Sequence, residues 1–163
     1  RETMRAVPIG IGELKVSNMA GDVLRSYGLG SCIGLVILAP RQRTVGMLHV
    51  ALPESKINQQ LAKDQPGMFA DTGIPFILQE MERCGCTVGD LVIKIAGGAS
   101  VMDPGATFEI GKRNILAVKK TLWRYHLGPV AEDVGDVISR TMSVSVDTGI
   151  VTVSSPRKGE WDL

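Results

Sequence analysis

Aromatic residues are scarce in this 163-residue chain, with two Trp, two Tyr and three Phe. A core must therefore be aliphatic, and a hydrophobic fraction of 44% supplies enough Val, Ile, Leu, Met and Ala to fill one. Long apolar runs are missing too. None approaches the roughly 20 residues of a membrane-spanning helix. The opening RETMRAVPIG lacks the apolar stretch of ~7–15 residues that marks a secretory signal. Neither sign of charge is in excess, since 18 basic and 17 acidic residues leave a net charge of +1. That removes any general electrostatic reason to bind nucleic acid or a membrane surface. The three cysteines form an odd set without framework spacing, which predicts reduced thiols and a cytoplasmic protein. No internal repeat or low-complexity segment is present. The length suits one domain, expected over 6–155, with 1–5 and 156–163 (PRKGEWDL at the end) as exposed termini.

Between those termini strands and helices are mixed. VPIGIGELKVS reads as one glycine-punctuated strand and NMAGD as the turn after it. VLRSYGLG reads as a short strand entering a loop. CIGLVILA and TVGMLHVAL are strand-length apolar runs with RQR between them as a hairpin turn. KINQQLAKDQPG (56–67) reads as polar loop. A first long helix is expected over about 71–83, with Ile74, Ile77, Leu78 and Met81 on one stripe. Pro75 fits only in a first turn, which moves the regular start toward Gly73. IGKRNILAVKKTLWRYH reads as the second helix, with Asn114 as a cap near its start and Gly128 beyond its end. Its apolar face is expected to be Ile115, Leu116, Val118, Leu122 and Trp123. DLVIKIAGG reads as a buried strand, VAEDV as another, and TMSVSVDTGIVTVSS as the clearest hairpin. Strands outnumber helices and often follow one another directly, so the predicted class is α+β, with seven or eight strands and two long helices.

Chemistry has few places to reside. In GLGSCIGL (28–35) two glycines and a serine precede Cys32, a loop in which N–H groups near Ser31 and Cys32 can converge on an oxyanion. An unassisted thiol is mostly protonated at neutral pH, so it is a poor source of thiolate and needs a base nearby. A buried cysteine opening a strand is the bland alternative. Of the two histidines, His49 lies inside an apolar strand, where a titratable ring is costly to bury without partners. If the two apolar runs are neighbours, Cys32 and His49 meet as a nucleophile and its base. A core histidine satisfied by a carbonyl is the alternative. His126 ends a helix, where a cation is favourable. Ser26, Ser31, Asp22 and Asp71 are the chemically suitable partners for the imidazole, and spacing does not choose among them. Cys84 and Cys86 lack the nearby ligands of a zinc site. GLGSCIG fails the dinucleotide-binding pattern at Ile33, and IAGGAS lacks the lysine of a phosphate loop. Lys112, Arg113, Lys119, Lys120 and Arg124 make the second helix basic, a solvated face or a surface for an acidic partner.

GLGSC, HVALPES, KIAGGAS, IGKRN, LAVKKTL and AED, in this order and spacing, resemble the CheD family of chemoreceptor glutamine deamidases, over about 9–153. The resemblance implies a cysteine-dependent amidohydrolase with the nucleophile at Cys32 and the histidine at His49. The family's third member is a Thr six residues before the Cys; here it is Ser26, which keeps the hydroxyl. The family's Gly-Gly and Gly-Arg pattern after AED is reduced here to Gly135 and Arg140. The implied fold is a layered arrangement of sheets with helices outside, similar to the deamidase domain of cytotoxic necrotizing factor toxins. The implied substrates are methyl-accepting chemoreceptor proteins, reached at the membrane only through the receptor, with no metal or organic cofactor. The implied second partner is the phosphatase CheC, for which Lys119, Lys120 and Trp123 on the second helix are candidate contacts. Two alternatives keep the same surface: a non-enzymatic regulator that docks CheC or receptor, and a methylesterase acting on receptor glutamates.

Overall fold

A computed structural model describes residues 4–100 and 109–163. The described residues form two five-stranded mixed sheets. The first has the order β1 (Arg5–Pro8), β3 (Asp22–Leu29), β8 (Arg140–Ser145), β9 (Val151–Ser155), β10 (Gly159–Asp162). The second has the order β2 (Leu14–Ser17), β5 (Thr44–Val50), β4 (Ile33–Ala39), β6 (Val92–Gly97), β7 (Pro129–Val134). Helices α2 (Ala70–Arg83) and α3 (Ile110–Trp123) are long, and α1 (Gln59–Asp64) is a single short helix capped by Asn58.

Period-two alternation explains the layering. Every residue of β4 and of β5 is buried, so both faces of these strands must be covered. Ile33, Leu35, Ile37 and Ala39 join Leu48, Val50, Ile74, Ile77, Met81, Val118 and Leu122 in a core beneath the helices. Val36 and Leu38 join Val45, Met47, Leu24, Met142, Val144 and Val153 in a second core between the two sheets. The α+β class holds.

Several elements differ from the sequence reading. VPIGIGELKVS is two strands, not one. The chain turns at Gly10–Glu13, with Gly12 at a φ of +77°, and β1 pairs with β3 while β2 pairs with β5 in the other sheet. Residues 56–67, read as loop, contain α1. Helix α2 starts at Ala70, so Pro75 lies inside it rather than in the first turn. There it removes one backbone hydrogen bond, while the buried stripe Ile74, Ile77, Leu78 and Met81 holds the helix on the sheet. In α3 the buried stripe is Gly111, Asn114, Val118, Thr121 and Leu122. Leu116 and Trp123 face outward, 60% and 75% exposed. Asn114 is interior to the helix and caps nothing. The C-terminal segment read as an exposed tail carries β10, paired along β9, with Trp161 Nε1 donating to Asp133 at 2.7 Å. At the other end Arg5 opens β1 and pairs with Asp22 at 3.0 Å; residues 1–3 of that expected tail lie outside the described residues.

The hairpins that fix the site follow the expected pattern. β4 and β5 are antiparallel, with Ala39 opposite Thr44 across the RQR turn. β8 and β9 are antiparallel with Val144 opposite Val151.

Candidate active site

The loop 30–32 links β3 of one sheet to β4 of the other, so Cys32 sits where the two sheets part. Register then decides its neighbours. Gly34 lies opposite His49 in the β4–β5 ladder. Cys32 immediately precedes β4 and packs into the core between the sheets, with Val36, Leu38 and Met47; this is the face of Gly34 and His49, so Cys32 comes next to the His49 position on the diagonal. Diagonal positions are roughly 7–8 Å apart, within reach of long side chains. Over Gly34 the space is taken by Leu29 and Met142, whose side chains a Cβ there would meet at 2.9 and 3.0 Å. Cys32 is half-buried, and packs against the core between the sheets.

His49 is 3% exposed. Its Nδ1 lies 3.1 Å from the carbonyl oxygen of Ile9. A carbonyl only accepts, so Nδ1 carries the proton and Nε2 keeps its lone pair. Nε2 has no hydrogen-bond partner among the described residues. Burial lowers the His49 pKa below its ordinary 6.5, and the Ile9 carbonyl and the Glu13 carboxylate only partly oppose it. The ring is thus a neutral base at neutral pH. Burial also pushes the Cys32 thiol above its ordinary 9.0. At rest the thiol and the imidazole are therefore both neutral, and no hydrogen bond joins them.

Ser26 is fully buried, and its Oγ donates to the same Ile9 carbonyl at 2.9 Å and touches Met47 Sδ at 3.4 Å. The serine reaches the imidazole through that shared acceptor rather than by direct contact. Asp22 is engaged elsewhere, with Arg5 and the Ser17 hydroxyl. Asp71 accepts from the Ser55 N–H and hydroxyl. Neither carboxylate orients the ring.

The GLGSC loop is held by its carbonyls. Gly30 O accepts from Ala99 N at 2.8 Å, Cys32 O from Gly98 N at 2.9 Å, and Ser31 O from Asn114 Nδ2 at 2.8 Å. Two glycines permit this approach. A Cβ on Gly97, whose φ is +114°, would lie 2.1 Å from Cys32 O. A Cβ on Gly111 would lie 2.5 Å from Gly98 O, so only glycine lets α3 dock there and bring Asn114 to the loop. Asn114 also donates to Ala51 O at 3.0 Å. Sequence reasoning missed the Ile9 carbonyl, Glu13 and Asn114. Asn114 alone left a trace, a polar residue three positions from Gly111 on one helical stripe.

Arg140 and Gly135 prove to be one unit. Arg140 is 3% exposed; it pairs with Asp133 at 2.9 Å and donates to Gly135 O at 2.9 Å. A longer contact of 3.4 Å reaches Gly97 O, which ties this network to the strand flanking Cys32. Lys119 is paired with Glu132 at 2.8 Å, so its charge is partly committed within the chain. Lys120 lines a cleft of about 270 Å³ with Arg113, Arg124, Glu54 and Asp71. Cys86 is buried in the core and Cys84 is exposed.

Two stacked sheets with helices on one side define the class as an α+β domain, and its candidate site holds a half-buried thiol and a buried neutral imidazole. Residues 51–155 match the family model described as CheD chemotactic sensory transduction. The chain is 52% identical over 157 residues to "Probable chemoreceptor glutamine deamidase CheD" of Syntrophotalea carbinolica, covering 95% of this chain and 97% of that one. It is 45% identical over 152 residues to "Probable chemoreceptor glutamine deamidase CheD 2" of Anaeromyxobacter dehalogenans, covering 93% and 96%. The chain belongs to the CheD family. No described helix is long and apolar enough to cross a membrane.

Proposed function

We infer that this chain is a chemoreceptor glutamine deamidase in which Cys32 is the nucleophile and His49 the base. The observation that carries the assignment of the pair is the imidazole: buried, tied at Nδ1, free at Nε2, and on the face of the strand pair that also bears Cys32. The resemblance to the necrotizing-factor deamidase domain belongs with this reading, which the stacked sheets and outer helices support.

The chemistry follows from the resting protonation states. Because the thiol is neutral, its proton must leave as it attacks. His49 Nε2 takes that proton while Sγ bonds to the carboxamide carbon of a glutamine side chain. The N–H groups of Ser31 and Cys32 face the oxygen that becomes negative. Nε2–H then protonates the departing nitrogen, the C–N bond breaks and ammonia leaves. Water, deprotonated by Nε2, attacks the thioester; the S–C bond breaks and the proton returns to sulfur. The products are glutamate and the free thiol, and no group beyond the chain enters the balance. Nucleophile–base contacts of this kind commonly tighten only when substrate is bound. Acting on receptor cytoplasmic segments places the protein in the cytoplasm. The test is incubation with a receptor cytoplasmic fragment, following ammonia and the conversion of specific glutamines by peptide mass spectrometry. Methanol released from a methylated fragment, without ammonia, favours the esterase; neither product, with binding retained, favours the regulator.

A CheC-type partner fits the outer face of α3. Leu116, Lys120 and Trp123 fall on one stripe, and both apolar members are exposed. Trp123→Ala combined with Lys120→Glu is expected to weaken CheC binding at least about tenfold while leaving deamidation of the fragment unchanged. Titration calorimetry with unchanged affinity removes this surface from the interaction.

A further inference from the structure

Among the described residues, three donors hold the nucleophile's loop, and Asn114 is the one side chain of the three. The other two, Ala99 N and Gly98 N, are backbone groups. In a trans peptide the N–H points opposite to the C=O. Fixing Ser31 O therefore fixes the direction of the Cys32 N–H, which shares its peptide plane. Neither the Ser31 N–H nor the Cys32 N–H is taken by an acceptor among the described residues. The loop thus turns its carbonyls toward the end of β6 and α3, and the Cys32 N–H points the opposite way from Asn114.

The same amide spans the mouth of the β4–β5 pair. Ser31 precedes Cys32, and Ala51 follows His49 by two residues, so the contacts at 2.8 and 3.0 Å join the two strands just beyond their last paired residues, Ile33 and Val50. Both contacts are to carbonyls, which sets the amide with its nitrogen toward the loop. Its Oδ1 is buried and accepts nothing from the described residues. Such a cost is seldom kept in a helix interior where an apolar residue would pack. The fit suits a residue placed for its two N–H bonds.

We propose that Asn114 is the positioning residue of the oxyanion hole, holding the Ser31–Cys32 peptide so that the Cys32 N–H faces the oxygen of the bound amide. The proposal rests on Cys32 as nucleophile, and the test separates the two. Deamidation of a receptor cytoplasmic fragment is measured for wild type, Cys32→Ala, Asn114→Ala and Asn114→Asp, with iodoacetamide alkylation of Cys32 and thermal melting for each cysteine-bearing protein. Displacement of iodide creates no oxyanion, so alkylation reads the thiol without the hole. In the asparagine variants kcat is expected to fall about 100-fold or more. KM should stay within about threefold and alkylation within about twofold of wild type. Asn114→Asp keeps the shape and removes the amide donors, and carries the test if the alanine variant does not fold. Unchanged kcat in a folded variant overturns the proposal. So does a parallel fall of kcat and alkylation, which assigns Asn114 to the thiol or the fold. Activity surviving in Cys32→Ala overturns the nucleophile and the proposal with it.

Discussion

Cys32→Ala is expected to lose receptor deamidation by about 10⁴-fold or more, because the acyl-enzyme route disappears and only binding and the aligned N–H groups remain. Cys32→Ser should be nearly as inactive, since a hydroxyl beside a neutral imidazole is a weaker nucleophile than a thiol. Thermal melting should change little in either variant, as the side chain is half-buried at the mouth between the sheets. Ammonia release and glutamine-to-glutamate conversion in the receptor fragment read the outcome. An alanine variant within tenfold of wild type sinks the assignment. The resting enzyme supplies a second readout. Burial raises the Cys32 thiol above its ordinary 9.0, so at neutral pH iodoacetamide should modify Cys32 more slowly than exposed Cys84. Its alkylation should climb only on the alkaline side. A thiol that reacts fastest of the three near neutrality would instead mean a preformed thiolate–imidazolium pair.

His49→Gln is expected to reduce kcat by roughly 10²–10⁴-fold, the usual worth of a positioned general base, with a small effect on KM. The pH profile of the wild type tests the same atom independently. His49 must be neutral at Nε2, and burial holds its pKa below 6.5. The acid limb of kcat/KM should therefore have its midpoint below 6.5, and activity should be flat from there until the thiol ionises. Stability moves with the same groups. Between 6.5 and the lower folded value the unfolded chain binds the proton that the folded chain refuses, so this contribution is full above 6.5 and is lost as pH falls to the folded value. Above 9.0 the unfolded chain releases the Cys32 proton that the folded chain keeps, so stability falls as pH rises from 9.0 toward the raised value. Urea midpoints should be highest between the two. An acid limb at or above 6.5 that persists in His49→Gln would assign the base to another group.

The candidate pair was legible in the sequence for a physical reason. A histidine in an apolar run is costly to bury without partners, which singles out His49, and a cysteine at the end of a small-residue loop has room for donors around it. The hairpin between CIGLVILA and TVGMLHVAL then forces adjacency, because antiparallel neighbours joined by a short turn have one register that keeps both faces apolar. The stripe on α2 was legible because four apolar residues at helical spacing leave no other face to bury. The face of α3 was not, because its apolar residues are spread around the helix. Packing selected the stripe with Gly111, where a side chain would collide with Gly98 O and Ala99 O.

By itself the sequence determined the α+β class, the central hairpin and the aliphatic core, and it singled out Cys32 and His49 as the candidate pair. These follow from local periodicity, turn residues and the cost of burying polar groups. Tertiary structure alone decided what surrounds the pair. The break at Gly10–Glu13 sends β1 and β2 into different sheets, and that separation carries the Ile9 carbonyl over the imidazole. Ser26 and the imidazole share this carbonyl, which no side-chain pattern encodes, since every residue bears one. Asn114 reaches the loop from 82 positions further along the chain than Cys32, by way of a glycine contact between two backbones. Partners supplied by main-chain atoms, or by packing across distant segments, leave no spacing to read. They exist only once both cores have closed.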